Sequence, residues 1–433
     1  MDISYLYTKF LNCKQNITTD TRKITKDCIY FALKGERFNG NDFAEQAIKE
    51  GASFAVVNDT SLSKNDNYIV VEDVLTTLQQ LANHHRKQLT IPVIGITGSN
   101  GKTTTKELIH AVLSAKYNTQ YTQGNLNNHI GVPLTLLTIT SQHEMAVIEM
   151  GANHQLEIDM LCRIAEPDFG IITNIGKAHL EGFGGIEGVK KGKSELYKYL
   201  LEKNGTIFLH GDDEVLVDLA KYNNKKTYGT NTLCDVVGKC NPNSLFVELA
   251  WCTKSKAAEL GKANYIKTNL VGIYNYNNTL CAACVGNYFK VEEDLINQAI
   301  QNYTPNNNRS QLKQTDNNTL ILDYYNANPS SMKAAIENFY NTNTANKMLI
   351  LGDMLELGTE SITEHKVIID LLHQKKLIDY LLVGPIFSSL QQKQSFPASK
   401  QALEFLQANP VKNKTILIKG SRGIALEEVI RAL

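Results

Sequence analysis

The densest group of residues that could do chemistry is GITGSNGKTT at 95–104, between a buried apolar run and an amphipathic stretch, KELIHAVLSAKY. Gly98 and Gly101 let backbone N–H groups turn toward phosphate oxygens, and the helix start adds partial positive charge. Lys102 can reach terminal phosphates and the Thr103 hydroxyl can bind Mg²⁺, so the segment predicts ATP binding. A glycine-rich turn with an incidental lysine is the alternative. The predicted nucleotide-binding residues here are Gly98, Asn100, Gly101, Lys102, Thr103 and Thr104.

Two further polar side chains follow buried strand-like runs. AVIEM ends in Glu149, and FGIITNI leads into GKAHLEGFG, which contains His179. Because neighbouring parallel strands end at one edge of a sheet, both side chains are expected at the same crevice. A carboxylate there can hold the Mg²⁺ that bridges the β- and γ-phosphates. A glutamate capping the GANH turn and a hydrogen-bonded structural histidine remain alternatives.

Strand-like and helix-like runs alternate along the chain, which predicts an α/β protein with mostly parallel sheets. Residues 1–88 form a small α/β unit with a helix-like stretch at 42–50. Residues 89–305 predict a central P-loop ATPase domain with a late antiparallel addition, LFVELAWC and YIKTNLV, and two short helices at 277–303. Residues 306–433 alternate strand and helix four times, which predicts a Rossmann-like domain. The Asn-rich segment 304–318 is the best candidate for a hinge or a domain boundary.

Length and composition exclude several classes of protein. A chain of 433 residues fits about three domains, and the equal numbers of basic and acidic residues, 44 each, argue against non-specific nucleic-acid binding. No run approaches the ~20 apolar residues of a membrane span, and no signal peptide begins the chain, so we expect a cytoplasmic protein. Cys281 and Cys284 lack partners for a zinc site and are interpreted as buried small hydrophobic residues.

The motifs together resemble the Mur ligases, ATP-dependent amide-forming enzymes of peptidoglycan precursor synthesis. The resemblance covers essentially the whole chain, with its motifs in the family's order. Besides the loops above, they are TDTR at 19–22, FALKGERFNGNDF at 31–43, GNLNNHIGVPLTLL at 124–137, GVKKGKSELY at 188–197, GIYNYNN at 272–278, NNRSQ at 307–311, DYYNANPSSM at 323–332, LGDMLELG at 351–358 and KGSRG at 419–423. Three of these segments resemble the family member that adds D-alanyl-D-alanine to UDP-N-acetylmuramoyl-tripeptide.

The resemblance implies roles for individual residues. Lys102, Glu149, His179 and Lys193 are the implied catalytic residues, and Thr103 joins the last three as a ligand of Mg²⁺, with two ions expected. Asn275 and Asn278 are the implied contacts on the adenine side. Arg309 and Asp323 are the implied clamp on ribose and phosphate. The implied uridine-nucleotide segment holds Thr21, Arg22 and Lys34 to Arg37, while Asn326 and Asn328 are implied near the dipeptide or the nucleotide. The chain is expected to act as a monomer.

Lys193 aligns with the lysine that family members carry as a carbamate, an anionic metal ligand. Carbamate formation requires a neutral amine, so the environment must lower the lysine pKa from ~10.4 to near neutrality. That shift corresponds to roughly 4 kcal/mol of free energy favouring the neutral form. Lys190 and Lys191 are expected to help by repelling the ammonium form. A solvated basic patch is the alternative interpretation of this segment.

The implied reaction is an attack of the tripeptide carboxylate on the γ-phosphoryl group of ATP, followed by capture of the acyl phosphate by the dipeptide amine. Alternatives remain within the enzyme class: a sister ligase adding another amino acid, or a folate-type polyglutamate synthetase, against which the TDTR and FALKGERFNG motifs argue. A P-loop switch or motor predicts phosphate release independent of any amine. A catalytically silent scaffold is expected to lack the set Lys102, Glu149 and His179.

Overall fold

Three β-sheets organise the chain in the computed structural model, which describes residues 2–63, 65–221, 224–262, 264–390 and 393–433. Helices pack against each sheet, and each sheet is wholly or mostly parallel. The α/β prediction is therefore confirmed. Each sheet also lies inside one of the segments 1–88, 89–305 and 306–433, although the boundaries themselves stay a prediction.

The first sheet has four parallel strands in chain order. The helix-like stretch at 42–50 begins as a 3₁₀ turn, Gly40–Phe43, and continues as an α-helix. The elements are α1 (Ile3–Asn12), β1 (Ile17–Thr18), β2 (Ile29–Phe31), α2 (Ala44–Lys49), β3 (Phe54–Val57), β4 (Tyr68–Val70) and α3 (Val74–Gln88).

The second sheet has nine strands in the order β13-β12-β11-β10-β9-β8-β5-β7-β6. Its strands are β5 (Val93–Thr97), β6 (Thr119–Tyr121), β7 (Met145–Glu149), β8 (Phe169–Ile172), β9 (Thr206–His210), β10 (Lys225–Gly229), β11 (Val236–Cys240), β12 (Phe246–Thr253) and β13 (Asn264–Val271). Its helices are α4 (Lys102–Ser114), α5 (Gly131–Leu137), α6 (Glu157–Ala165), α7 (Leu180–Phe183), α8 (Ile186–Glu202), α9 (Glu214–Leu219), α10 (Tyr276–Tyr288) and α11 (Glu293–Asn302).

The position of β5 decides where a ligand can bind in this sheet. β5 lies between β7 and β8, and all three strands run parallel. The phosphate-loop motif, Glu149 and the segment leading to His179 therefore leave the sheet at one edge, as the sequence predicts. The predicted antiparallel addition is confirmed as the β12–β13 pair, and Cys281 and Cys284 are buried in α10.

Helix α3 joins the first unit to the second. Its polar cap, Asp73, accepts a hydrogen bond from Thr76 N at 2.6 Å, and Leu78 and Leu81 are fully buried. Its other face packs on α5 and α6. There the buried Arg86 donates to Ala165 O at 3.0 Å and to Asp168 Oδ2 at 2.9 Å.

The third sheet has six strands in the order β14-β15-β19-β16-β17-β18, with β14 antiparallel to the rest. Its strands are β14 (Gln311–Gln314), β15 (Thr319–Asp323), β16 (Lys347–Gly352), β17 (Tyr380–Val383), β18 (Ser395–Phe396) and β19 (Thr415–Lys419). Its helices are α12 (Pro329–Asn341), α13 (Ser361–Gln374), α14 (Pro385–Ser389) and α15 (Ser399–Ala408).

The third unit adds one detail to the sequence prediction and differs from it in another. The polar segment 304–318 contains β14 at the edge of the sheet, and its role as a hinge or domain boundary stays a prediction. The final run, ALEEVIRAL, forms a 3₁₀ helix over Leu426–Ala432 rather than another α-helix. Among the described residues, no helix is long and apolar enough to cross a bilayer.

Candidate active site

The phosphate-loop motif forms a tight turn between β5 and α4. Gly98 has φ +141°, and a Cβ there would lie 2.0 Å from Thr173 Oγ1, so only glycine fits. Gly101 has φ +79° and lies against the Asn278 side chain. Lys102 begins α4, and its Nζ donates to Gly98 O at 2.8 Å, folded back over the turn. Burial lowers the Lys102 pKa, partly opposed by the Glu149 carboxylate.

Side chains from the loop after β8 hold this turn in place. Thr173 Oγ1 donates to Asn100 O at 2.6 Å, and Asn174 Nδ2 donates to the same oxygen at 3.0 Å. Asn174 Oδ1 in turn accepts from Asn100 N at 3.1 Å. The turn is therefore fixed in shape before any nucleotide binds.

Glu149 ends β7 directly beside the turn and is almost completely buried. Its Oε1 accepts from Thr103 Oγ1 at 3.2 Å and from Asn127 Nδ2 at 2.7 Å. The carboxylate therefore bonds to these two side chains and does not cap the GANH turn, which is the alternative interpretation. Its Oε2 is buried without a hydrogen bond and lies 3.7 Å from Lys106 Nζ. A buried oxygen with unused lone pairs is suited to a cation.

Lys193 lies on α8 and is fully buried, so the interpretation of a solvated patch is wrong for this residue. Its Nζ donates to Ala152 O at 3.1 Å and lies 5.0 Å from the centroid of the Phe183 ring. Burial lowers the pKa of Lys193 well below its usual range, and the Lys102 charge lowers it further. The cation that repels the Lys193 ammonium form is Lys102, while the expected help from Lys190 and Lys191 stays a prediction.

His179 stands at the start of α7 with a left-handed backbone, φ +52°. Its Nδ1 lies 2.5 Å from Glu356 Oε2, a residue of the third unit. The His179 imidazole lowers the pKa of the Glu356 carboxyl. The histidine therefore connects the loop after β8 to the loop after β16.

The third unit closes a cleft of about 730 Å³ over this edge of the central sheet. Arg309 stacks on the Tyr325 ring with its Cζ 3.9 Å from the ring centroid. Asp323 accepts from Lys419 Nζ at 2.7 Å. The residues predicted from sequence that line this cleft are Asn100, Gly101, Lys102, Thr103, Thr104, Glu149, His179, Asn275, Asn278, Arg309, Asp323, Asn326 and Asn328.

The residues assigned to a uridine nucleotide lie elsewhere. Thr21 and Arg22 follow β1, and Lys34 and Arg37 follow β2, so all four leave the first sheet at its carboxyl edge. Arg22, Lys34 and Arg37 are exposed, and Arg22 pairs with Asp20 at 2.8 Å. The structure therefore separates this edge of the first unit from the cleft between the other two.

Sequence reasoning missed several groups at the cleft. Asn127 and Lys106 contact Glu149, while Glu356 contacts His179. Asn127 and Glu356 belong to the motifs GNLNNHIGVPLTLL and LGDMLELG, but their partners lie far away along the chain. The side chain of Lys106 is fully buried one helical turn after Lys102, a position that helical spacing could have indicated.

Family models match all three units. The Mur ligase family catalytic domain matches residues 15–86, the Mur ligase middle domain matches 96–286, and the glutamate ligase domain matches 308–422. A UDP-N-acetylmuramoyl-tripeptide--D-alanyl-D-alanine ligase of Bacillus subtilis is 37% identical over 96% of this chain and 92% of its own length. The chain belongs to the Mur ligase family.

Other relatives of this Mur ligase agree with that placement. The ligase of the same name from Escherichia coli is 34% identical over 96% of this chain and 93% of its own. The crystal structure of MurF from Acinetobacter baumannii has a TM-score of 0.85 with 29% identity, covering 98% of this chain and 97% of that one. MurF from Thermotoga maritima in complex with ADP shares the fold, with a TM-score of 0.83, 24% identity and 97% of each chain covered.

Proposed function

We propose that this Mur ligase joins D-alanyl-D-alanine to UDP-N-acetylmuramoyl-tripeptide with hydrolysis of ATP. The observation that carries the proposal is a pre-shaped phosphate turn that shares one cleft with the buried Glu149 carboxylate. Relatives with this activity in their names align with nearly the whole chain. The ADP complex of the Thermotoga maritima relative supports an adenine nucleotide as the energy source.

The chemistry must activate a carboxylate before an amine can capture it. A terminal carboxylate oxygen of the tripeptide attacks the γ-phosphorus, the bond to the β-phosphate oxygen breaks, and ADP leaves an acyl phosphate. The dipeptide nitrogen then attacks the acyl carbon, loses a proton, and phosphate departs with the C–O bonding pair. ATP thus becomes ADP and phosphate as one amide bond forms.

We assign Thr103, Glu149, His179 and a carbamylated Lys193 to the binding of Mg²⁺, with two ions. When bound, Mg²⁺ neutralises the repulsion between the carboxylate and the phosphates. The orphaned Oε2 of Glu149 supports this assignment. The described residues hold no ready cluster of three His, Cys, Asp or Glu side chains. Phosphate oxygens and water would complete the coordination of a bound ion, as is usual for Mg²⁺.

The environment of Lys193 favours the neutral amine that carbamate formation needs. Its nitrogen adds to the carbon of CO₂ and releases one proton, which gives an anionic carbamate. Burial lowers the Lys193 pKa, and the repulsion by Lys102 acts in the same direction. Once anionic, the group gains attraction from Lys102, so the same neighbour that disfavours the ammonium form stabilises the carbamate.

The remaining residues bind and orient the substrates. Lys102 is positioned to turn from Gly98 O to the phosphates, and Arg309, held flat on Tyr325, offers a second cation from the closing unit. Asn275 and Asn278 border the adenine side. The loops after β1 and β2 receive the uridine end of the precursor, while Asn326 and Asn328 lie near the dipeptide or the nucleotide.

We infer that a monomer is the active unit, because the cleft that gathers the assigned nucleotide-binding residues is formed between the second and third units of the same chain. ATP and UDP-linked precursors are nucleotides of the cytoplasm, so we place the reaction there. Size-exclusion chromatography with light scattering measures the oligomeric state directly.

The proposed function is tested by mass spectrometry of the product formed from UDP-muramyl-tripeptide, ATP and D-alanyl-D-alanine. We expect the mass of the pentapeptide precursor and one phosphate released for each amide formed. Other amino acids offered as the amine distinguish a sister ligase. Phosphate release that is the same with and without any amine contradicts the proposal and favours a P-loop switch.

A further inference from the structure

Glu356 makes an unusual contact across the cleft. It lies on the loop after β16, yet its Oε2 is 2.5 Å from Nδ1 of His179 on the central unit. A backbone hydrogen bond accompanies this close contact, from Glu181 N to Glu356 O at 3.4 Å. Glu356 also has a left-handed backbone, φ +63°, a conformation that costs free energy and persists where surrounding contacts impose it.

The contact has a defined chemical effect on the imidazole ring. A carboxylate at Nδ1 fixes the tautomer and the orientation of a histidine and makes the other nitrogen a better metal ligand. His179 lines the cleft that holds Glu149 and the phosphate turn. With Nδ1 facing Glu356, Nε2 is the ring nitrogen left for a cation.

We propose that Glu356 is a positioning residue through which the third unit completes the cation site, by fixing the orientation of the His179 ring. The inference rests on the proposed function, in which His179 binds Mg²⁺. Its consequence is that the third unit acts on the metal site through the His179 ring.

A plain ion pair between the two units is the competing explanation, and the chain supplies a matched control. Lys177 Nζ lies 2.5 Å from Glu364 Oε1 and joins the same two units. Lys177 precedes His179 by two residues, so the two pairs sit at neighbouring points of the interface. If Glu356 merely holds the units together, removing either glutamate should have the same effect.

The test compares Glu356→Ala, Glu356→Gln and Glu364→Gln in the full chain. Mn²⁺ affinity is measured by electron paramagnetic resonance with a non-hydrolysable ATP analogue and the UDP-muramyl-tripeptide, and kcat and KM are measured separately. We expect Glu356→Ala to weaken Mn²⁺ binding about 10- to 100-fold and to lower kcat more than it raises KM for the precursor. Glu356→Gln should restore part of the affinity, because its amide oxygen still accepts from Nδ1.

Glu364→Gln is expected to leave Mn²⁺ affinity unchanged. The inference is overturned if Glu356→Ala binds Mn²⁺ like the parent enzyme, or if Glu364→Gln weakens binding equally. His179→Ala separates this result from the proposed function. If His179→Ala weakens Mn²⁺ binding while Glu356→Ala does not, the metal assignment stands and the inference fails; if neither does, both fail.

Discussion

Glu149 holds its carboxylate at a position that water barely reaches. Two side chains from different elements donate to one oxygen, and the fully buried Lys106 faces the other. Their arrangement is set by packing around β7 and α4, so the carboxylate is oriented before any ligand arrives. A charge oriented in advance avoids the reorganisation that a flexible group would require during the reaction.

Lys102→Ala is expected to slow phosphoryl transfer by about 10²- to 10³-fold, since it removes a cation beside the developing phosphate charge. Affinity for UDP-muramyl-tripeptide, measured by calorimetry, should be retained because the loops that we assign to the uridine end lie on the first unit. Lys116→Ala is the matched control, as Lys116 is exposed just beyond the other end of α4. Full activity of Lys102→Ala contradicts the assignment.

At the residue scale, the sequence predicts those groups that local pattern determines. The turn at 95–104 and Glu149 each follow an apolar run that indicates a buried strand. The sequence could therefore predict that both lie at the same edge of the sheet. Lys106, Asn127 and Glu356 could not be assigned partners, since each contact depends on how separate elements pack. Lys193 was identified only through resemblance, because neighbouring lysines make its segment look solvated.

Helix α12 connects its own stability to the phosphate turn through one residue. Asn328 caps the helix, with Oδ1 accepting from Ser331 N at 2.9 Å, and Pro329 occupies the first turn. Its Nδ2 donates to Asn100 Oδ1 at 2.7 Å across the cleft. The side-chain amide of Asn328 therefore both caps α12 and contacts the phosphate turn.

Asn328→Ser should separate these two roles. Serine is also a good N-cap, so the melting temperature is expected to stay near the parent value, but its short side chain cannot also reach Asn100. We therefore expect a higher KM for ATP, measured by ADP release. Asn328→Ala, the control for the cap, should lose about 1 kcal/mol of stability as well. An unchanged KM in both variants contradicts the role of the amide bridge.

At the element scale, long periodic segments were predictable and short polar ones were not. β14 reads QLKQ, with one apolar residue, so no alternation marks it as a strand. It forms because the next strand along the chain, β15, has an unpaired edge with which β14 pairs in the antiparallel direction. The final ALEEVIRAL has helical spacing, yet it adopts the tighter 3₁₀ form.

The two interfaces of the central unit are built differently. On one side, α3 packs along α5 and α6 and buries Arg86 among backbone carbonyls. On the other side, the cleft is bridged by side chains at loop and helix ends, including the Asn328–Asn100 and Lys177–Glu364 pairs. We therefore expect the first two units to move as one body and the third to open and close.

The first of these interfaces should weaken in acid. His85 on α3 is buried, with Nε2 2.8 Å from Ile139 O and Nδ1 3.1 Å from the Tyr7 hydroxyl. Burial lowers the His85 pKa from its ordinary 6.5. Just below that pH, His85 therefore binds a proton in the unfolded chain but stays neutral in the folded chain. Stability due to this histidine is present above pH 6.5 and is lost as the pH falls below it.

Thermal melts between pH 7.5 and 5.5 check this expectation by comparing the parent protein with His85→Gln. Glutamine can still donate to Ile139 O but does not titrate, so the variant should lose less of its melting temperature in acid. The slope of melting temperature against pH should be smaller in the variant but not zero, because burial also lowers the pKa of His110, His210 and His365. Parallel curves for the two proteins contradict the role of His85.

We expect the packing of α3 on α5 and α6 to hold the first unit at a fixed distance from the phosphate turn. The loops that we assign to the uridine end would then set the span between the two ends of a bound precursor. A peptide stem that is too short would stop before the triphosphate, and one that is too long would extend beyond it. We therefore expect the enzyme to favour precursors of one stem length, whichever amino acids the stem contains.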